Sequence, residues 1–220
     1  MSPSSVFITG ASGYIGSRLV PALLARGHRV TALVRQGRED ILPNKCRVVT
    51  GDALDESSFR DKIGDAATLV HLVGVSHSSP TKVTAFRDVD LVSLRAALAA
   101  ATHAGIRHFI YLSVAQPAPV MHAYVAARAE GEALVRASGI AATIFRPWYV
   151  LGPGHRWPLF LLPLYYMAER VPITRAGARR LGLVTIDELL AALIVSVESV
   201  ASGCRLLDVT AIREVNPENS

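Results

Sequence analysis

The sequence predicts an α/β fold: a doubly wound parallel sheet with helices on both faces. Two patterns carry that expectation. Runs of strand length alternate with runs of helical period along almost the whole chain. The strand-like runs are continuously apolar and rich in Val, Ile and Leu, as strands covered on both faces must be. Strands joined through helices cross over right-handed and give a parallel sheet.

The elements follow in order. Val6–Thr9 reads as the first strand, Tyr14–Ala25 as a helix and Arg29–Val34 as the second strand. Arg47–Thr50 is the third, followed by a short helix from Glu56 to Lys62 and a fourth strand over Thr68–Val73. A long helix runs from Val83 to Ala104 and stops at Gly105. His108–Ser113 is the fifth strand, Ala123–Ala137 a helix stopped by Gly139, and Ala141–Phe145 the sixth strand. Beyond it, prolines at 147, 153, 158, 163 and 172, with Trp148, Trp157, Tyr165 and Tyr166, break the rhythm. The stretch 147–182 therefore reads as a small cap over the carboxyl ends of the strands. Regularity returns with Leu183–Thr185, a helix over Asp187–Glu198 and a last strand near Arg205–Val209. Residues 1–220 are thus expected to form a single domain, frayed after Ile212.

Composition narrows the partners. The net charge of +5 comes mostly from arginines, in two loose clusters: Arg35 with Arg38, and Arg170, Arg175, Arg179 and Arg180. Neither is interleaved with aromatics or laid along a helix face, so no nucleic-acid partner is expected, and small anions account for the charge. Cys46 and Cys204 lack metal or redox spacing and read as buried free thiols in a reducing compartment. The first residues have no signal-peptide layout. The apolar run Leu159–Ala168 is broken by Pro163 and has about half the length that spans a bilayer. A cytoplasmic protein without a membrane span is expected.

One motif carries chemistry. Thr9-Gly10-Ala11-Ser12-Gly13-Tyr14-Ile15-Gly16 follows the first strand directly and opens the first helix. Glycines here permit a tight turn and a close approach of backbone to a pyrophosphate, and the third lets helix and strand pack. The helix start adds N–H donors and positive potential. In a strand–turn–helix context this is a dinucleotide site of the Rossmann type. Gly10, Ser12, Gly13, Tyr14, Ile15 and Gly16 are its candidate contacts.

The residue closing the second strand selects the dinucleotide. An acid there would accept the ribose hydroxyls of NAD. This chain has Arg35, with Arg38 nearby, and a guanidinium suits a 2′-phosphate. NADP(H) is the expected cofactor and NAD the second choice.

The spacing Gly-x-x-Gly-x-x-Gly resembles that of the short-chain dehydrogenase/reductase superfamily, in its extended or atypical branch. The resemblance runs from Ser5 to Val200. It is nearest to NmrA-like and epimerase/dehydratase-like members and to the NADPH-holding accessory subunit of respiratory complex I. It implies that Asp52 and Ala53, after the third strand, serve the adenine, and that Leu72, Val73 and Gly74 pass beside the adenosine ribose. Arg146-Pro147-Trp148-Tyr149-Val150 resembles the segment that lies along the nicotinamide, which adds Pro147 and Val150. Val184-Thr185-Ile186-Asp187 resembles a later Val-x-Asp segment. The residues between 154 and 184 are too few for the lobe of sugar-nucleotide enzymes, so a sugar nucleotide is not expected.

The same resemblance implies a catalytic set. The family pairs an acid/base tyrosine with a lysine one helical turn later and a hydroxyl at the end of the fifth strand. Tyr124, Arg128 and Ser113 stand at those places, and Tyr124 and Arg128 also face the cofactor. Arg128 replaces the lysine and supplies charge but no proton relay. Val114 follows Ser113 where a further serine is usual, and the long helix offers Asp90 or Ser93 but no asparagine. Two functions are therefore open. One is a small NADP-dependent oxidoreductase for an apolar carbonyl or quinone-like substrate. The other is a non-catalytic NADPH-binding sensor or accessory protein. A homodimer through the helices around 83–104 and 123–137 is also expected, from the alanine stripe Ala96, Ala97, Ala99, Ala100 and Ala101. No metal site is expected.

Overall fold

The computed structural model describes residues 3–74, 86–154, 177 and 180–215. Most of the expected cap lies outside the described residues, including Trp157, the run Leu159–Ala168, Arg170, Arg175 and Arg179. The start of the long helix at Val83 does too.

Seven strands form one parallel sheet in the order β3-β2-β1-β4-β5-β6-β9. They are β1 (Ser5–Thr9), β2 (Arg29–Val34), β3 (Arg47–Thr50), β4 (Thr68–His71), β5 (His108–Leu112), β6 (Ala141–Arg146) and β9 (Cys204–Asp208). Two short strands, β7 (Tyr149–Leu151) and β8 (Leu183–Thr185), pair in parallel beside it as a second sheet. The described α-helices are α1 (Gly16–Ala25), α2 (Val92–His103), α3 (His122–Ala137), α4 (Ile186–Glu198) and α5 (Val209–Glu214).

Period-two alternation divides the strand side chains between two cores. Val6, Ile8, Val30, Ala32 and Phe145 face α1 and α4, where Leu19, Leu23, Leu189 and Leu193 meet them. Phe7, Leu33, Leu69, Phe109 and Ile144 face the other way, onto Leu94 and Ala97 of α2 and Val135 of α3. Both faces are covered, which is why these strands carry no polar alternation.

Several expected elements differ in detail. The 56–62 helix is two 3₁₀ turns, Glu56–Ser58 and Arg60–Lys62, joined at buried Phe59. The described start of the long helix is a π-helical turn, Phe86–Leu91, that runs into α2. Leu183–Thr185 joins the second sheet, not the main one. Thr185 and Glu188 form a capping box that starts α4. Ala96, Ala97, Ala100 and Ala101 are buried in the core of their own chain, and of the expected alanine stripe only Ala99 is exposed. Cys46 is buried as expected, with its thiol pushed up to about 11 by burial, but Cys204 is exposed because it sits on the edge strand. The chain after Ile212 continues the helix α5 to Glu214. No helix among the described residues is long and apolar enough to cross a membrane, and no described His, Cys, Asp and Glu cluster could hold a metal ion.

Candidate functional site

A cleft of about 480 Å³ lies over the carboxyl ends of β1–β4, the edge where this sheet type binds ligands. Its floor is the glycine turn, contributing Gly10, Ser12 and Gly13. Gly10 has φ +75°, and a Cβ there would stand 2.8–2.9 Å from the Leu72–Val73 backbone. Only glycine satisfies both constraints. A Cβ at Gly16 would strike Gly10 and Ala11, so the third glycine lets the helix start close on its own turn, not on the strand.

Successive strand ends supply the walls. Leu33, Val34, Arg35 and Arg38 close the side after β2, and Gly51, Asp52, Ala53 and Leu54 face them after β3. Asp52 accepts from the backbone N–H of Leu54, and Ser58 braces the same loop by accepting from Asp52 N and donating to Asp52 O. Leu72, Val73 and Gly74 continue the wall after β4, and Val89 of the π-helical turn ends it. Leu72 N–H still reaches Thr9 O at 3.0 Å, so the ladder guides this segment past the end of β4.

Seven of the expected contacts, Tyr14, Ile15, Gly16, Tyr124, Arg128, Pro147 and Val150, are not among the residues lining the cleft. Tyr14 does not line the cleft: the Arg18 guanidinium stacks on its ring at 4.1 Å, and its hydroxyl stands against Gly152. Ile15 and Val150 pack onto the first core. Pro147 accepts from Ala115 N–H at 3.0 Å and ties the β6 exit to the β5 exit.

The expected catalytic residues separate into two clusters. In the first, Tyr124 of α3 is half-buried and packs on Phe86, ring centroids 5.1 Å apart. The Arg128 guanidinium lies 5.3 Å from the Tyr124 ring centroid and 5.8 Å from that of Tyr111. It donates to Leu112 O at 2.9 Å and pairs with Asp90 at 3.1 Å. Burial opposes its charge, but Tyr124, Tyr111 and Asp90 outweigh that and raise its pKa, so it stays a fixed cation. A Cβ on Gly74 would run into this guanidinium, so the cleft wall rests directly on Arg128. Behind it His71 lies 2.8 Å from Thr9 Oγ1 and 3.5 Å from Ser93 Oγ, and burial, then Arg128, pushes it down to about 3. His71 is neutral at pH 7.

The second cluster holds Ser113. Its hydroxyl donates to Glu132 Oε1 at 2.7 Å, and Gln116, Arg136 and Arg146 donate to the same carboxylate. Burial pushes Glu132 up, but the bonds from Arg146 and Ser113 hold it below the usual carboxylate range. Ser113 is committed to this hub, so the substrate-orienting role expected from its position does not match where its proton goes. Sequence reasoning missed Glu132, His71 and the lining residue Val89. It weighed Asp90 and Ser93 only as stand-ins for an asparagine, and none of these belongs to a local motif.

Residues 10–154 match the family described as NAD(P)H-binding. The chain is 31% identical over 193 residues to ceramide reductase of Caulobacter vibrioides, covering 86% of this chain and 59% of that protein. It is 30% identical over 226 residues to 3-diazoavenalumate denitrifying reductase of Streptomyces sp., covering 90% and 74%. Among solved structures it resembles the Bordetella bronchiseptica enzyme WbmH in complex with NAD⁺, with 23% identity and TM-score 0.71 over 94% of this chain and 76% of that one. MoeE5 in complex with UDP-glucuronic acid and NAD gives 21% and 0.71 over 93% and 76%. These two likenesses establish the fold alone.

Proposed function

The chain belongs to the NAD(P)H-binding family of Rossmann oxidoreductases, with homologues in the extended short-chain dehydrogenase/reductase and NmrA-like group, and from that premise we propose an NADP(H)-dependent oxidoreductase for a small, largely apolar carbonyl or quinone-like substrate. The observation that carries the reading is the pairing of Arg35 and Arg38 along the cleft side that an acid would occupy in an NAD site. The reductase names of the two relatives support the reaction class.

The residues fit the dinucleotide, because the glycine turn floors the cleft and Gly10 lets the Leu72–Val73 wall close directly on it. Ser12, Gly13 and the helix start hold the phosphates, Arg35 and Arg38 hold a 2′-phosphate, and Asp52 and Ala53 serve the adenine. Leu72, Val73 and Gly74 lie along the ribose. When bound, the dinucleotide supplies or accepts a hydride. Tyr124 gives a proton to the substrate oxygen in reduction and takes it back in oxidation. Arg128 holds the Tyr124 ring from its face and the Gly74 wall from below. Free thiols, one of them exposed, suit a cytoplasmic setting.

The engagement of Arg128 with Asp90 favours a second reading, a non-catalytic NADPH-binding sensor or accessory protein. Nicotinamide absorbance of NADPH-loaded protein against a panel of carbonyls and quinones separates them. Turnover with any member is the expected result, and none across the panel would leave the binder. Calorimetry tests the cofactor separately: NADPH should bind more tightly than NADH, and Arg35→Ala should erase most of that preference, a loss of about 1.5–3 kcal/mol. Equal affinities in the parent would overturn the role given to Arg35.

A further inference from the structure

A second cavity, of about 370 Å³, opens over the carboxyl ends of β5, β6 and β9, beyond the dinucleotide cleft. It lies between Ala115 and Gln116 after β5, Arg146 at the end of β6 and Asp208 at the end of β9, with Arg146 and Asp208 in register. Arg180, Leu206 and Thr210 complete the lining.

We propose that this cavity is a carboxylate-binding subsite, with Arg180 and Arg146 as its donors.

Three observations support it. First, Arg180 is half-buried, and its Nε is sealed from solvent without a hydrogen-bond partner among the described residues. The residue lines the cavity together with Arg146, so two guanidiniums border the space an anion would fill. Second, Arg146 is preset. Its Nε and Nη2 grip Glu132 at 2.7 and 2.6 Å, which fixes the guanidinium plane while the N–H groups of Nη1 are not used by this pair. Third, the charges select a monoanion. Arg146, Arg180 and nearby Arg136 face Glu132 and Asp208, so the surroundings carry one net positive charge. The carboxylate of Asp208 already accepts from Ala211 N–H at 2.9 Å. One surplus charge suits a carboxylate, whereas a doubly charged phosphate beside Asp208 would be left overcharged. Ala115 and Leu206, the latter 37% exposed, give the remaining wall an apolar surface for the body of a small acid.

The pocket takes a carboxylate whatever the chemistry. That the carboxylate belongs to the substrate rests on the reductase reading. The test is calorimetric titration of the full chain, in the presence of NADP⁺, with phenylglyoxylate and with its methyl ester. The acid should bind about tenfold or more tightly than the ester, as one charge-assisted contact implies, and Arg180→Gln should bring the two within about twofold. Amide NMR shifts at Ala115, Leu206 and Thr210 should accompany binding. Equal affinities, no binding of the acid, a preference that survives Arg180→Gln, or shifts confined to the Gly10 turn would each overturn the subsite. Adding NADPH then separates the two readings: binding without reduction keeps the pocket and removes the redox assignment.

Discussion

Arg128 and Asp90 meet at 3.1 Å with side chains 6% and 1% exposed, joining α3 to the π-helical turn that ends the dinucleotide cleft. Val89, the last wall residue of the cleft, is the chain neighbour of Asp90. Tyr124 stands one helical turn before Arg128. The pair therefore links the seat of the cofactor to the position of the proposed acid/base.

Breaking this pair should be expensive. Asp90→Asn leaves a buried guanidinium without its counter-charge, and loss of one partner of such a pair costs about 3–5 kcal/mol. Urea denaturation should show that loss for Asp90→Asn. The double variant Asp90→Leu with Arg128→Met should recover a large part of it, because the unpaired charge is then gone. Strictly additive losses would show that the two charges do not act as a pair.

The glycine turn gives a graded test. Gly37 and Gly10 both have φ near +80°, at +79° and +75°, but a Cβ at Gly37 meets nothing within 4 Å. Gly37→Ala carries only the backbone strain of a left-handed alanine, about 1 kcal/mol. Gly10→Ala adds a collision with the Leu72–Val73 backbone, so it should lose clearly more stability and most of its dinucleotide affinity. Thermal melts with and without NADPH distinguish the two, and equal shifts would deny the close approach at Gly10.

Two buried histidines set the acid limit. Burial lowers His71 to about 3 and His108 to about 4, with Arg128 and Arg205 adding to the effect. A group whose folded pKa lies below its unfolded value of about 6.5 binds its proton more readily when unfolded. Their stabilisation is thus complete above pH 6.5 and declines as pH falls towards 4 and 3, by up to about 1.4 kcal/mol per histidine per pH unit. Glu132, also held low, adds a further loss only below its unfolded value of about 4.5. His71→Asn should flatten the slope between pH 6.5 and 4.5 in denaturant titrations. An unchanged slope would mean that His71 does not titrate on unfolding.

The sheet was legible in the sequence because burial on both faces leaves the strands mostly apolar, with no alternation of polar residues, as in Val30–Val34 and Phe109–Tyr111. The glycine turn was legible because its geometry is local. What escaped was non-local: Asp90 and Arg128 are 38 positions apart, and Glu132 collects Ser113, Gln116 and Arg146 from both sides along the chain. No spacing rule announces such pairs, because strand crossover and not helical period brings them together. The second sheet hid likewise, with β7 and β8 separated by residues 152–182.

Tyr124, the proposed acid/base, and Ser113 sit in different surroundings, so their variants should differ. Tyr124→Phe removes one hydroxyl from a half-buried ring and keeps its packing on Phe86 and the Arg128 face. Its stability should stay within about 1 kcal/mol of the parent, since only one exposed-side hydrogen-bonding group is lost. Turnover should vanish, because no proton donor replaces the phenol. Ser113→Ala does the opposite. It removes a 2.7 Å bond to a buried carboxylate and should lower stability by about 1–3 kcal/mol, while Gln116 and the arginines still hold Glu132. Assayed well below its melting temperature, that variant should turn substrate over within a few-fold of the parent. If Ser113→Ala is dead and Tyr124→Phe is active, the hydroxyl at the end of β5 and not the phenol serves the reaction, and the part played by Tyr124 is only that of a wall beside Arg128.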